Sequence, residues 1–227
     1  MEDQIILIDK PTGISSFGVV AKVRGYLKTK YNHKVKVGHT GTLDPFATGL
    51  LILLTGKMTK KSNEYLKLDK VYEATLKLGY TSTTGDPEGE ITKYTTNTKP
   101  TKSEKTIKSV LQSFIGEITQ TPPRFSAIKI NGQRAYQLAR KGQDFEIPSR
   151  QVEIYSINIL GYNYPELKIK VHCSSGTYIR TLAEDIGNKL GTGAYLTSLR
   201  RLSIHNFKVE DAKPLDFFTK EDPINML

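Results

Sequence analysis

Residues 38–49 hold the side chains best suited to chemistry in this chain. His39 and Asp44 lie there among three glycines, and Pro45 directly follows the aspartate. A carboxylate presented by such a loop can act as a nucleophile or stabilise a positive charge that develops during a reaction. Local propensity offers another interpretation, in which Asp44 caps a helix that starts at Pro45 and the glycines only form turns. That interpretation gives the histidine no role.

The other candidate ligands are dispersed. The four histidines, at positions 33, 39, 172 and 205, form none of the spacings typical of metal sites. We therefore expect neither a metal nor another cofactor. The single cysteine excludes an intrachain disulfide, which suits a reducing compartment. The first residues contain two acids and no basic segment followed by an apolar one, so they do not resemble a signal peptide and the expected location is cytoplasmic.

The charge balance points to an anionic partner. The 227 residues include 33 Lys or Arg and 23 Asp or Glu, which gives a formal net charge of +10. Cations of this kind neutralise phosphates and release the counterions of a nucleic acid. A basic protein whose charge only maintains solubility is the alternative. The basic residues form three groups: Lys22, Arg24, Lys28 and Lys30; Lys57, Lys60, Lys61, Lys67 and Lys70; and Arg124, Lys129, Arg134, Arg140 and Lys141.

The segments around residues 38–49 predict the elements that hold them. Residues 4–8 have the pattern of a buried strand, and Ser15 or Ser16 can cap the helix that follows. Residues 35–48 show little periodicity and predict a loop. Residues 49–55 are apolar, which predicts a buried segment directly after the loop.

The rest of the chain mixes strands and helices without regular alternation. Strands are predicted at 71–78, 152–162, 167–173 and 202–209, and helices at 103–114, 134–141 and 177–190. This order favours an α+β fold with a mixed, mostly antiparallel central sheet flanked by helices. No linker divides the chain, so the sequence predicts one domain over residues 1–227.

Residues 38–49 also resemble the signature segment of the TruB family, the bacterial tRNA pseudouridine-55 synthases, whose essential residue is the aspartate of this loop. Other segments are similar to further motifs of the family, in the family's order: residues 10–16, 70–74, 175–182 and 196–202, and an insertion at about 120–150 that grips RNA in the family. The resemblance covers roughly residues 5–208. It implies the pseudouridine synthase fold.

The resemblance assigns catalytic roles to Asp44, Tyr72 and Arg180. Asp44 would supply the carboxylate, and the charge of Arg180 would favour its ionised form. The alternative for Arg180 is a surface ion pair with Glu184, one helical turn further on. Tyr72 would stack on the flipped uracil and take part in proton transfer, whereas its alternative role is packing in a half-buried strand.

The resemblance further assigns substrate contacts to His39, Tyr72, Tyr178, Leu199 and Lys10. His39 would fill the space that the target base leaves in the RNA loop; the alternative is a loop histidine bonded to the backbone. Tyr178 and Leu199 would line the uracil pocket, although core packing explains both equally. Lys10 would support the site from behind.

The implied activity is isomerisation of the uridine at position 55 in the T-loop of tRNA. The base would be flipped out, its glycosidic bond cleaved, and the ribose rejoined to C5. Whether Asp44 attacks the sugar or the base stays open. The expected partner is the T-arm stem-loop of tRNA. We expect a monomer with no obligate protein partner and no membrane contact.

Two other functions stay open from the sequence. One is a tRNA-folding chaperone that binds and opens the tRNA elbow. The other is a uridine methyltransferase with Cys173 as nucleophile, which is disfavoured because the strand pattern around Cys173 predicts a small buried residue. Many members of the family carry an additional C-terminal RNA-binding module of the PUA type. Residues 210–227 are too few for such a module, so none is expected to be complete in this sequence.

Overall fold

A computed structural model describes residues 3–95 and 103–218 of the chain. These residues form two compact units. The first contains residues 3–72 and 200–218, and the second contains the described residues between 73 and 199. No helix in the described ranges is both long and apolar enough to cross a membrane.

Five α-helices and fourteen strands are present in the described ranges. The helices are α1 (Ser16–Tyr31), α2 (Ser62–Leu66), α3 (Glu104–Gln112), α4 (Ala135–Arg140) and α5 (Ile179–Lys189). The strands are β1 (Ile5–Lys10), β2 (Val37–His39), β3 (Thr48–Thr55), β4 (Lys70–Leu78), β5 (Tyr80–Ser82), β6 (Ile91–Lys93), β7 (Gly116–Gln120), β8 (Lys129–Ile130), β9 (Gln133–Arg134), β10 (Arg150–Asn163), β11 (Glu166–Cys173), β12 (Ala194–Ile204), β13 (Phe207–Lys208) and β14 (Lys213–Pro214).

The first unit is built around β3, whose side chains are almost all buried. Within this unit the strand order is β14-β1-β3-β12, with β2 also paired to β3 and β13 to β12. β1 and β2 run antiparallel to β3, whereas β12 pairs with it in parallel. Helix α1 covers one face of this sheet, and the core that it forms there contains Val19, Val23 and Leu27 together with Ile8 and Leu51.

The start of α1 agrees with the predicted cap. The Ser15 hydroxyl accepts a hydrogen bond from the backbone N–H of Gly18 at 3.0 Å, which satisfies one of the free donors at a helix N-terminus. Asn32, with a φ of 56°, ends the helix in the left-handed conformation. The cap fixes where the helix begins, and therefore where the next residue, Ser16, points.

Gly49 allows β3 and β12 to approach closely. Its φ is +102°, and a Cβ atom placed on it would lie 2.3 Å from the backbone oxygen of Arg201. A larger residue at position 49 would therefore both strain the backbone and push β12 away. The close approach brings the Arg201 side chain to the loop that precedes β3.

The second unit contains a sheet with the order β12-β4-β11-β10-β7. The pairs β11 with β10 and β10 with β7 are antiparallel. Burial alternates strictly along β4, as the sequence pattern predicts for a strand with one face in the core. Helix α5 is amphipathic, with Ile179, Leu182, Ala183 and Ile186 buried. The predicted α+β class with a mostly antiparallel sheet is confirmed.

Two local predictions are wrong. Asp44 does not cap a helix, since a short turn follows it and β3 begins at Thr48. The final strand begins at Ala194 rather than at 202, and a turn at His205, with a φ of 49°, separates it from β13. Arg200 and Arg201 interrupt the apolar pattern of this segment. The strand nevertheless continues through them, because hydrogen bonds satisfy both guanidinium groups.

Candidate active site

Asp44 lies in the loop between β2 and β3, and hydrogen bonds fix the backbone immediately before it. The hydroxyl of Ser16, in the first turn of α1, donates to the carbonyl oxygen of Leu43 at 2.9 Å. The Ser16 hydroxyl oxygen in turn accepts from the backbone N–H of Leu43 at 2.8 Å. Asp44 itself starts a tight turn, in which its carbonyl oxygen accepts from the N–H of Ala47 at 3.1 Å. The carboxylate is thus attached to backbone with little freedom to move.

Lys10 fixes the backbone immediately after Asp44. Its side chain is fully buried at the end of β1, and its ammonium group donates to three carbonyl oxygens. The distances are 2.8 Å to Pro11, 2.7 Å to Ile14 and 3.2 Å to Pro45. A buried ammonium group is costly unless it is hydrogen-bonded, and these carbonyls supply the bonds. This geometry favours support of the loop as the role of Lys10.

Arg201 holds the first half of the same loop, a role that the sequence did not reveal. The side chain is buried, its Nε donates to Leu50 O at 2.7 Å, and its Nη2 donates to Gly41 O at 3.2 Å. Arg200 beside it forms a two-pronged pair with the carboxylate of Asp9 at 3.0 and 2.8 Å. The only sequence signal was the position of both arginines within the resemblance at 196–202.

The other two predicted residues of the first unit are His39 and Tyr72. Nδ1 of His39 accepts from the backbone N–H of Gly41 at 3.4 Å, which orients the ring within the loop. Tyr72 lies on β4 and is buried rather than half-buried. The first unit therefore supplies Lys10, His39, Asp44 and Tyr72 from a loop and three strands.

Arg180, in the second unit, is buried and extensively bonded. It lies in the first turn of α5, and its Nη1 is 3.2 Å from a carboxylate oxygen of Asp86. Both side chains of this ion pair are only 4% exposed. Nη1 also donates to Thr84 O at 2.9 Å and Nη2 to Phe125 O at 2.8 Å. The alternative of a surface arginine is wrong, because the group is buried and pairs with Asp86.

Asp86 was not among the predicted site residues. It lies in the turn 85–89, where its carboxylate accepts from the hydroxyl of Thr84 and from the N–H of Glu88 at 3.0 Å. The hydroxyl of Ser82 donates to the backbone carbonyl oxygen of Asp86 at 2.6 Å. These bonds hold a carboxylate inside the protein opposite Arg180. The composition of the turn predicted only a surface connection, so no local signal identified Asp86.

Tyr178 is fixed through a second residue that the sequence did not reveal, Gln120. The buried amide of Gln120, at the end of β7, donates to Tyr178 O at 3.2 Å and accepts from the Tyr178 N–H at 3.0 Å. The guanidinium carbon of Arg150 lies 4.8 Å from the centre of the Tyr178 ring, in cation–π contact. Leu199, the remaining predicted residue, is buried on β12.

The family models match nearly the whole chain. Residues 26–179 match the model described as TruB family pseudouridylate synthase (N terminal domain), and residues 180–221 match the tRNA pseudouridylate synthase B C-terminal domain. The chain belongs to the TruB family. This membership agrees with the resemblance that the sequence motifs indicated.

Individual relatives in the TruB family are similar over most of their length. The tRNA pseudouridine synthase B of Phocaeicola vulgatus is 46% identical over 220 residues, which are 96% of this chain and 92% of the relative. The protein of the same name from Bacteroides fragilis is 45% identical, with 92% and 89% covered. That of Clostridium kluyveri is 45% identical, with 97% and 73% covered.

Solved structures show the same fold in larger assemblies. A chain in the crystal structure of a Cbf5-Nop10-Gar1 complex is 30% identical, with a TM-score of 0.68 over 94% of this chain. A chain of an H/ACA RNP bound to a substrate RNA containing 2'-deoxyuridine is 28% identical, with a TM-score of 0.66 over 93% of this chain. This TruB family chain spans about half the length of those two chains.

The described residues contain no group of three or more His, Cys, Asp or Glu side chains placed to hold a metal ion. Cys173 is fully buried on β11, opposite Ile154 of β10. A buried thiol in the middle of a sheet suits packing rather than nucleophilic attack. The role of Asp44 as the catalytic carboxylate of this TruB family chain stays a prediction.

The carboxyl group of Glu184, on α5 next to the buried ion pair, has a raised pKa. Burial raises its pKa to about 7; the charges of Asp185 and Asp86 add to the rise, and Arg180 opposes it. An ordinary glutamate has a pKa of about 4.3, which is the value expected in the unfolded chain. Between these two values the folded protein binds the proton more tightly than the unfolded chain.

The free energy of unfolding should therefore fall as the pH rises from about 4.5 to about 7, and then level off. Glu184→Gln removes this contribution. We expect the free energy of unfolding of the variant to match that of the wild type near pH 5 and to exceed it by about 1–2 kcal/mol at pH 8. The difference is no larger because solvent screens a partly exposed carboxylate. Urea unfolding at four pH values measures the difference, with the exposed Glu166→Gln as control. A difference that does not change with pH would contradict the prediction.

Proposed function

We propose that this chain isomerises a uridine in the T-loop of tRNA, at position 55, to pseudouridine. Family membership supports this class of reaction, and the names of the relatives support tRNA as the substrate. The observation that carries the proposal is the immobilised loop around Asp44. Ser16 and Lys10 hold its backbone before and after the aspartate, and Arg201 holds it at Gly41.

The reaction needs no net change in composition. The bond between N1 of uracil and C1′ of the ribose breaks, the base rotates, and a bond forms between C5 and C1′. The proton on C5 is then lost and N1 gains a proton. Asp44 assists by attacking the sugar or the base, or by stabilising a cationic sugar once the base has left. Tyr72 stacks on the flipped uracil and takes the proton from C5.

The remaining residues position the reactants. The family resemblance suggests that the positive charge of Arg180 favours the ionised form of Asp44. Asp86 holds Arg180 in place within the second unit. Tyr178 and Leu199 line the uracil pocket, and His39 occupies the space left in the RNA loop. Binding energy from these contacts offsets the few kcal/mol needed to unstack a base.

Nucleoside analysis of a T-arm stem-loop incubated with the protein tests the proposal. We expect one uridine to elute as pseudouridine after complete digestion, in multiple turnovers and without any added cofactor. The matched control is the same stem-loop with that uridine replaced by cytidine, which should yield none. If the wild-type protein binds the RNA but leaves every uridine unchanged, the proposed function is wrong.

Lys10→Met separates positioning from direct substrate contact. Loss of the ammonium group leaves buried carbonyls without a donor, so the free energy of unfolding should fall by about 1–3 kcal/mol. Loosening of the Asp44 loop should lower kcat by about 10- to 100-fold. The Kd for the stem-loop should change less than twofold. A raised Kd with unchanged kcat would instead place Lys10 in contact with the substrate.

We further propose that the protein acts as a monomer in the cytoplasm, with tRNA as its partner. The Cbf5-Nop10-Gar1 complex and the H/ACA RNP are assemblies formed by the proteins in those structures. Light scattering during size-exclusion chromatography tests the monomer against the mass of 25.4 kDa calculated for the chain.

A further inference from the structure

Helix α1 presents an aromatic ring and two cations along one exposed side. Phe17 is the most exposed large apolar side chain in the described ranges, at 64%, against 47% for Leu160. Arg24 and Lys28 are also exposed and follow Phe17 at seven and eleven residues, a spacing that places all three on one face of the helix. No Asp or Glu occurs within α1, so every charged side chain of the helix is positive.

Helix α1 is attached at two points to the segment that carries Asp44. Ser16, the neighbour of Phe17, is bonded to the backbone of Leu43. Nη2 of Arg24 donates to Val37 O at 3.2 Å, at the first residue of β2. The guanidinium carbon of Arg24 also lies 5.8 Å from the centre of the Phe17 ring. The exposed face of α1 and the loop of Asp44 therefore form one connected piece of structure.

We propose that Phe17, Arg24 and Lys28 form a contact surface for the substrate RNA, beside the uridine on which Asp44 acts. Phe17 stacks on a base or ribose of a flanking nucleotide, and the two cations contact phosphates. Aromatic rings stack on unpaired bases of any sequence, and Lys and Arg neutralise phosphates. At 64% exposure most of the phenyl ring faces solvent, where it is available to a partner. This inference rests on the proposed function.

A tryptophan substitution reports the contact directly. The chain contains no tryptophan, so Phe17→Trp in the Asp44→Asn background places a single indole on α1 and prevents turnover. We expect the T-arm stem-loop to quench its emission in proportion to binding. The control is Leu66→Trp in the same background, a position in the first unit that is 40% exposed and should change little. Unchanged emission from position 17 at saturating RNA would overturn the proposal.

RNA binding by three further variants distinguishes a contact from a structural role. Phe17→Ala should raise both Kd and KM for the stem-loop by roughly 5- to 100-fold, with kcat and Tm nearly unchanged. Phe17→Tyr keeps the ring and should behave like the wild type. Lys28→Ala should reduce the slope of log K against log salt by about 1. A Phe17→Ala variant that loses Tm but binds RNA normally would show that the ring serves folding.

The wild-type assay keeps the two failures apart. Only the contact surface is wrong if the wild type produces pseudouridine, RNA leaves the emission at position 17 unchanged, and Phe17→Ala has the Kd of the wild type. If the wild type neither binds nor modifies the stem-loop, the proposed function fails and the RNA surface on α1 fails with it.

Discussion

Asp44→Asn is expected to abolish pseudouridine formation while the protein still folds and binds tRNA. The asparagine has the same shape but cannot act as an anionic nucleophile or stabilise a cationic sugar, so kcat should fall by about 10⁴-fold or more. The loop should keep its conformation, because its bonds to Ser16, Lys10 and Arg201 all involve backbone atoms of other residues. Single-turnover assays with excess enzyme measure the loss without interference from binding.

Two further measurements on this variant and one control variant decide between the functions. The Kd for tRNA and the Tm should stay within experimental error of the wild type, and Asp211→Asn, an exposed aspartate of the same unit, should retain full activity. A tRNA-folding chaperone would instead retain its function in Asp44→Asn, since binding and refolding need no catalytic carboxylate. Pseudouridine formation by Asp44→Asn at the wild-type rate would contradict the assignment of this residue.

Arg180→Met is expected to cost both stability and activity, because it breaks a buried ion pair. The carboxylate of Asp86 would stay inside the protein without its counter-charge, and removal of one partner from such a pair typically costs about 3–5 kcal/mol. The carbonyl oxygens of Thr84 and Phe125 lose their donors as well. Urea unfolding at pH 7 measures the loss, and we expect kcat to fall by at least about 100-fold.

Arg124 provides the matched control, since it also pairs with an aspartate in the second unit. The side chains of Arg124 and Asp144 are 50% and 102% exposed, at an N–O distance of 3.3 Å. Exposed pairs contribute about 0–1 kcal/mol, so Arg124→Met should leave the free energy of unfolding almost unchanged. Equal losses in the two variants would contradict the importance of burial. In Arg180→Met combined with Asp86→Leu, part of the lost stability should return, because no unpaired charge remains.

Local sequence patterns determined most of the secondary structure. The alternation in β4 and the serine cap of α1 are decided by neighbours within a few residues, and both were predicted correctly. The motifs also identified the family, and with it Asp44, Tyr72 and Arg180 as the residues that chemistry would need. Strand β2 and the start of β12 were not predicted, because their conformation depends on pairing with other segments.

Only the tertiary structure decided what holds those residues in place. The bond from Arg180 to Thr84 spans 96 residues of sequence, and that from Arg201 to Leu50 spans 151. Neither Asp86 nor Gln120 differs in its local sequence from an ordinary polar residue at a turn or strand end. Folding removes both from water, and each bonds a predicted site residue, Arg180 or Tyr178. A buried polar group is stable only with a partner in position. That partner is chosen by the packing of distant segments, which no short stretch of sequence specifies.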